Sequence, residues 1–195
     1  MKSARSLLAL CLVALAAAGI AADSAVGQTI ADLINREAAT DVALIVDGLI
    51  KQNSDQKDLS KSLSYETDEL WQVELTGKQL KEAFEKSVSF FPSPFSSFLQ
   101  ISEAKITFDP SKPIGSRIQS VTLGETNQPL DSEKKYKVAM PASLAKGGFG
   151  YNNIWEFKTP SRIVRPTIGE VVRGKGVHSQ AFRWLSNPSS SATSR

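Results

Sequence analysis

Apolar positions along the chain fall into short segments whose rhythm keeps changing. Ile30, Leu33 and Ile34 recur at helical spacing between about Gly27 and Glu37, which predicts a short amphipathic helix. A continuous run follows, Val42-Ala43-Leu44-Ile45-Val46, closed by Asp47-Gly48; five apolar residues in succession predict a strand covered on both faces. Lys51 to Lys61 is polar and aperiodic and reads as a surface loop. Alternation returns at Trp71, Val73 and Leu75, predicting a strand with one apolar face. Thr76 with Gln79 three residues on is a capping-box start, and Leu80, Ala83, Phe84 and Val88 supply the buried stripe of the helix it opens. Pro92 and Pro94 make Phe90 to Ser97 irregular, because proline removes a donor and restricts the residue before it.

Ala104, Ile106 and Phe108 alternate as a strand closed by Asp109-Pro110, and a further strand spans Ile118 to Leu123. A loop from Gly124 to Leu130 returns the chain to Tyr136, Val138 and Met140. Thr167 and Glu170 form a second capping box ahead of Val171 and Val172, with Gln180 to Leu185 read as continuing helix. Strands and helices mix without a regular βαβ beat, so the expected class is α+β: a single domain with a mixed β-sheet and packed helices. There is no internal repeat.

The N-terminus changes the picture. Lys2 and Arg5, the apolar stretch Leu7 to Ala18 and the small residues ending at Ala21-Ala22 have the layout of a secretory signal peptide, expected over 1–22. An uncleaved anchor is the alternative, but the apolar run is short for a span and no stop-transfer sequence follows. The expected location is extracytoplasmic, periplasmic or secreted, with no stable membrane anchor. Cys11 lies inside the leader, so the mature protein is expected to have no thiol or disulfide chemistry. Losing Lys2 and Arg5 lowers the formal net charge from +3 to about +1, and no basic stripe remains that would follow a phosphate backbone, so no nucleic-acid partner is expected. The domain is expected over 23–186, and the serine-rich 187–195 as a disordered tail.

Candidate chemistry is sparse. His178 is the sole histidine, so neither an imidazole-type metal centre nor a cofactor is expected, and a Ser-His-Asp triad would have to use that one residue. No serine stands in a Gly-x-Ser-x-Gly elbow. Most carboxylates sit beside lysine or arginine, the pattern of a solvated face. What stands out is Leu144-Ala145-Lys146-Gly147-Gly148-Phe149-Gly150-Tyr151, a three-glycine loop with two aromatics. Such a loop can bring backbone close to a ligand, or it can be a tight turn with Tyr151 packed inward; spacing alone leaves both open.

Four stretches, in order, carry a resemblance. Asp23-Ser24-Ala25-Val26-Gly27-Gln28-Thr29-Ile30-Ala31-Asp32 resembles the segment that opens the C-terminal domain of the 5'-nucleotidases. Val73 to Glu85 is similar to that domain's central strand and helix, and Phe108 to Arg117 to its Asp-Pro-Ser-Lys-Pro-x-Gly-x-Arg turn. Leu144 to Tyr151 resembles its Leu-Ala-x-Gly-Gly-Asp-Gly-Tyr/Phe loop. The resemblance implies a free-standing version of the domain that recognises base and sugar, while hydrolysis in the family belongs to an N-terminal metallophosphoesterase domain.

It also implies a set of candidate ligand-binding residues. Phe98, before Leu99-Gln100, matches one phenylalanine of the family's base clamp, and Ser143 stands where the second would be. Phe149 replaces the ribose-binding aspartate of the loop formed by Gly147, Gly148, Phe149 and Tyr151, and is a candidate to fill the space at Ser143. Lys51 stands for the arginine of the phosphate-side segment, here Val46-Asp47-Gly48-Leu49-Ile50-Lys51, without the planar fork that grips phosphate in two places. The implied function is an exported, non-catalytic binding domain for a nucleoside, a nucleotide or another aromatic small molecule, or for a protein partner. The alternative is a recognition subunit that completes a separately encoded metallophosphatase, with no catalytic or metal-ligating residue of its own.

Overall fold

The computed structural model describes residues 24–158, 160–164, 166–178 and 183–188. The leader at 1–22 and residues 189–195 of the expected tail at 187–195 lie outside these residues; Asn187, the first residue of that tail, donates its N–H to the Phe108 carbonyl at 2.8 Å. Helix α1 (Ala25–Ala38) starts where the Ser24 hydroxyl accepts the Gly27 N–H at 2.8 Å, buries Ile30 and Ile34, and ends at Ala39 in the left-handed conformation. Strand β1 (Val42–Val46) is buried along its whole length, as its unbroken apolar run requires. Strand β2 (Leu70–Thr76) runs straight into α2 (Gly77–Ser87). There the expected capping box is complete: Thr76 Oγ1 accepts the Gln79 N–H at 3.2 Å, and Gln79 Oε1 accepts the Thr76 N–H at 3.0 Å. Thr76→Ala is expected to lower stability by about 1 kcal/mol in a denaturant titration; an unchanged midpoint would mean the cap is redundant.

The remaining elements are β3 (Leu99–Ser102), β4 (Ala104–Phe108), β5 (Ile118–Leu123), β6 (Gln128–Pro129), β7 (Lys135–Pro141), α3 (Ala142–Ala145), β8 (Arg162–Val164), α4 (Ile168–Val172) and β9 (Trp184–Ser186). The strands divide between two mixed sheets. One has the order β3-β1-β7-β2-β8, with β1 and β7 parallel; the other has the order β6-β5-β4-β9, with β4 and β9 parallel. The first crossing is local in origin: Glu103, between β3 and β4, sits at φ 56°, and this left-handed corner turns the chain out of the first sheet and into the second. Phe84 of α2, Phe98, Phe108 and Trp184 pack at the junction, where Trp184 Nε1 donates to the Leu99 carbonyl at 2.9 Å.

Three expectations change. The segment Lys51 to Lys61 is not wholly at the surface, because Leu59 is fully buried at the start of a 3-10 turn and its N–H reaches the Lys175 carbonyl. A lone anchor in a polar stretch has no period to reveal it. Trp184 to Ser186 is a strand, not a helix, since Ile106 and Trp184 are paired in a parallel ladder; 179–182 lie outside the described residues. The turn after β5 leads only into the two-residue β6, and β7 joins the other sheet. No helix among the described residues is long and apolar enough to cross a membrane.

Candidate functional site

Three loops meet at the end of β1. The 3-10 turn Asp47–Leu49 follows β1, residues 94–98 precede β3, and the glycine loop 147–151 follows α3. Backbone contacts lock them together: the Asp47 N–H donates to the Phe98 carbonyl at 2.9 Å, and the Gly48 N–H to the Ser96 carbonyl at 2.8 Å. Ser97 Oγ donates to the Phe149 carbonyl at 2.8 Å, and the Tyr151 hydroxyl to the Ser97 carbonyl at 2.6 Å. The glycine loop makes this meeting possible, since Gly147 (φ 85°), Phe149 (φ 57°) and Gly150 (φ 75°) are all left-handed. Glycine adopts this conformation freely; Phe149, with its Cβ, does so at a cost of roughly 1 to 3 kcal/mol that the surrounding contacts must offset.

The strained backbone delivers the Phe149 ring onto Gly48. A Cβ on Gly48 would lie 2.5 Å from Phe149 Cε1, so the ring occupies the space that a side chain there would take. Beside Gly48 a cleft of about 630 Å³ opens, bounded by Asp47, Lys51, Phe95, Ser96 and the start of α1 at Ser24 to Val26. Asp47 Oδ1 accepts Gln100 Nε2 at 2.8 Å, and Gln100 Oε1 accepts the Ser24 N–H at 3.1 Å, which ties the wall of the cleft to the helix start. Lys51, on the cleft's lip, donates its ammonium to the Lys61 carbonyl at 3.0 Å. The loop that carries Lys61 is itself pinned, with Asp58 accepting the Gly174 and Ser60 N–H groups, which holds its carboxyl below the usual range.

The structure gathers only part of the candidate set. Lys51 and Gly48 border one cleft and Phe149 covers Gly48, while Gly148 lies against the Ser143 carbonyl and Gly147 against Asn152. Phe98 does not offer the expected stacking face: it is 3% exposed and packs on Trp184 with ring centroids 5.1 Å apart, because the residue entering β3 points into the core. Ser143 lies at the start of α3, where its hydroxyl donates to Asp68 Oδ2 at 2.6 Å; the turn carrying Tyr65, 65% exposed, is thereby tied to it. Phe149 covers Gly48, where a side chain would meet its ring. Tyr151 is fully buried and stacks on Trp155 at 4.8 Å, so it supports the loop from inside.

Sequence reading missed Phe95, the aromatic that does line the cleft, along with its neighbour Phe90, 56% exposed, at 4.6 Å. Both flank Pro92 and Pro94, and without a period nothing in the sequence says which ring faces outward.

Burial, and then the charge of Asp47, push the Tyr151 hydroxyl well above its usual range. A tyrosine raised in the folded state contributes stability that is intact below about pH 10, where the unfolded chain keeps its proton, and that is lost as pH rises toward the folded value. The native protein is expected to lose stability above about pH 10 more steeply than Tyr151→Phe, as read from melting temperatures across pH. Parallel curves would show that Tyr151 ionises as freely folded as unfolded.

The 5'-nucleotidase C-terminal domain family matches residues 14–155, a range that contains every candidate from Lys51 to Tyr151. This chain belongs to that family. It is 37% identical over 86 residues to the snake venom 5'-nucleotidase of Crotalus adamanteus, covering 41% of this chain and 15% of that protein. It is 34% identical over 92 residues to the 5'-nucleotidase of Bos taurus, covering 44% and 16%. In structure it is similar to a 5'-nucleotidase precursor from Thermus thermophilus, with a TM-score of 0.68 and 25% identity over 83% of this chain and 35% of that one. The matched stretch thus spans about one sixth of the length of these curated relatives.

Proposed function

We propose that this chain is an exported binding domain, without catalysis of its own, in which the nucleotide-recognition site of the 5'-nucleotidases has been turned toward a flat apolar or aromatic ligand. The carrying observation is the Phe149 ring seated on Gly48. The resemblance puts a sugar-binding carboxylate at position 149, and a benzyl ring there accepts no hydrogen bond from vicinal hydroxyls. Sugar hydroxyls buried without an acceptor cost about 1 to 3 kcal/mol each. Lys51, with a point charge and its ammonium already on the Lys61 carbonyl, is a weaker phosphate grip than a forked guanidinium. The rings that remain accessible, Phe95 beside the cleft and Tyr65 near Ser143, favour stacking over hydrogen bonding.

Among the described residues no three His, Cys, Asp or Glu side chains are grouped so as to hold a metal ion. The leader pattern of Lys2, Arg5 and Leu7 to Ala18 supports export. Thermal-shift titration with indole and naphthol tests the reading. A saturable rise in melting temperature, diminished in Phe95→Ala, is expected; no rise with either compound, or metal-dependent phosphate release from AMP by the purified chain, would overturn it.

A second reading rests on the match to the recognition half alone: the chain supplies ligand recognition to a separate metallophosphatase domain. Co-purification with such a protein from the native host, with nucleotide hydrolysis by the pair and by neither part alone, would favour it.

A further inference from the structure

Away from the Gly48 cleft, a hollow of about 750 Å³ lies between the outer face of α2 and the loop that leads into β5. Its wall is fixed. The Glu85 carboxylate accepts the N–H groups of Arg117 and Ile118 at 2.8 Å each, and Arg117 Nη1 donates to the carbonyls of Val88 and Ser89 at 2.5 and 3.0 Å. The loop is thereby clamped to the helix, and the hollow is preformed. Lys78, Lys81 and Lys86 line one side together with Glu82 and Glu85, which leaves one more cation than carboxylate there, and Ile114 and Ile118 line the other.

Lys86 is the unusual member. Its side chain is half-buried, and its ammonium lies 5.6 Å from the centroid of Phe95 and 5.4 Å from that of Tyr151. Among the described residues it makes no ion pair, although Glu82 stands four positions before it in the order that favours one. Both oxygens of Glu85, the other nearby carboxylate, are taken by backbone N–H groups. A cation held by ring faces keeps its charge available, and partial burial strengthens its attraction for an anion relative to open water. On the opposite wall Ile114 is 66% exposed, and the side of Gly115 (φ 85°) meets nothing within 4 Å, which leaves the mouth open.

We infer that this hollow is a second binding site, for a small organic anion with an apolar body. The carboxylate or phosphate head sits at Lys86, Lys81 and Lys78 strengthen the positive field, and the acyl or aryl part lies on Ile114 and Ile118. The two sites adjoin through Phe95, whose ring faces Lys86 and also lines the Gly48 cleft.

Calorimetric titration of the purified chain with octanoate, phenyl phosphate and inorganic phosphate tests this. Octanoate and phenyl phosphate are expected to bind saturably at one site, about tenfold or more tighter than inorganic phosphate, which leaves the apolar wall unused. Lys86→Gln is expected to weaken both by about tenfold or more, Lys86→Arg to keep most of the affinity, and Lys105→Gln, the same charge loss on exposed β4, to change nothing. The inference is overturned if no probe binds saturably, if Lys86→Gln binds as the native chain does, or if inorganic phosphate binds as tightly as the others. Lys86 also touches Tyr151, so a melting curve checks that Lys86→Gln folds. If it does not, Ile114→Ser, an uncharged change at an exposed position, decides: unchanged octanoate affinity overturns the site, and weakened octanoate with phosphate unaffected upholds it.

Discussion

Phe149→Asp is expected to bind adenosine at least tenfold more tightly than the native chain does. The substitution removes the ring that lies on Gly48 and puts a carboxylate where the family resemblance calls for one. Two hydrogen bonds from sugar hydroxyls to a charged acceptor contribute about 1.5 to 3 kcal/mol each before ordering costs, so a gain of at least tenfold is expected by calorimetry. Aspartate also tolerates the left-handed backbone at φ 57° better than phenylalanine does, which offsets part of the lost ring packing. The variant should therefore stay folded, with a loss of stability of about 2 kcal/mol or less. Phe149→Gly separates the two effects: it uncovers Gly48 without adding an acceptor, and should gain little affinity. If Phe149→Asp folds and binds adenosine no better than the native chain does, occlusion by Phe149 is not what distinguishes this pocket.

The largest loss of stability is expected at Trp184→Ala, far from any ligand. Trp184 is almost fully buried and meets Phe84, Phe98 and Phe108 at centroid distances of 5.8, 5.1 and 6.2 Å, while its indole N–H caps the Leu99 carbonyl. It therefore ties β9 to α2 and to both sheets. Truncating a buried tryptophan costs about 3 to 5 kcal/mol, a large share of a domain's total of about 5 to 15. Trp184→Phe keeps ring volume but leaves the Leu99 carbonyl unpaired, and is expected to cost about 1 to 3 kcal/mol. Equilibrium denaturation reads both. A loss under about 1 kcal/mol for Trp184→Ala would mean that β9 adds little to the fold.

How far the sequence reveals this molecule depends on whether a local signal exists. The Thr76 and Thr167 capping boxes, the buried run of β1 and the alternation of β2 are written in adjacent residues, and each forms where the pattern puts it. The division into two sheets is not legible: the chain passes between them after β3, after β6 and after β8, and the first crossing turns at left-handed Glu103, whose side chain advertises nothing of the kind. Trp184 to Ser186 is too short for a period of two to be told from helical spacing.

The candidate site follows the same logic. The glycine loop announces itself through Gly147, Gly148 and Gly150. Its contact with Gly48, about a hundred residues earlier in the chain, exists only in three dimensions. Phe98 and Phe95 are three residues apart in an aperiodic stretch, and sequence position favours the one that turns out to be core. What separates them is which ring Trp184 covers, a tertiary fact.

Titration of AMP into the purified native chain, without added partner, tests the central claim most directly. With Phe149 on Gly48 and no forked cation at Lys51, no saturable heat that depends on Lys51 is expected up to about 1 mM, which corresponds to binding at the Gly48 cleft weaker than about −4 kcal/mol. One-site binding with a Kd near about 1 μM, lost in Lys51→Ala, would contradict the account and restore a working nucleotide site.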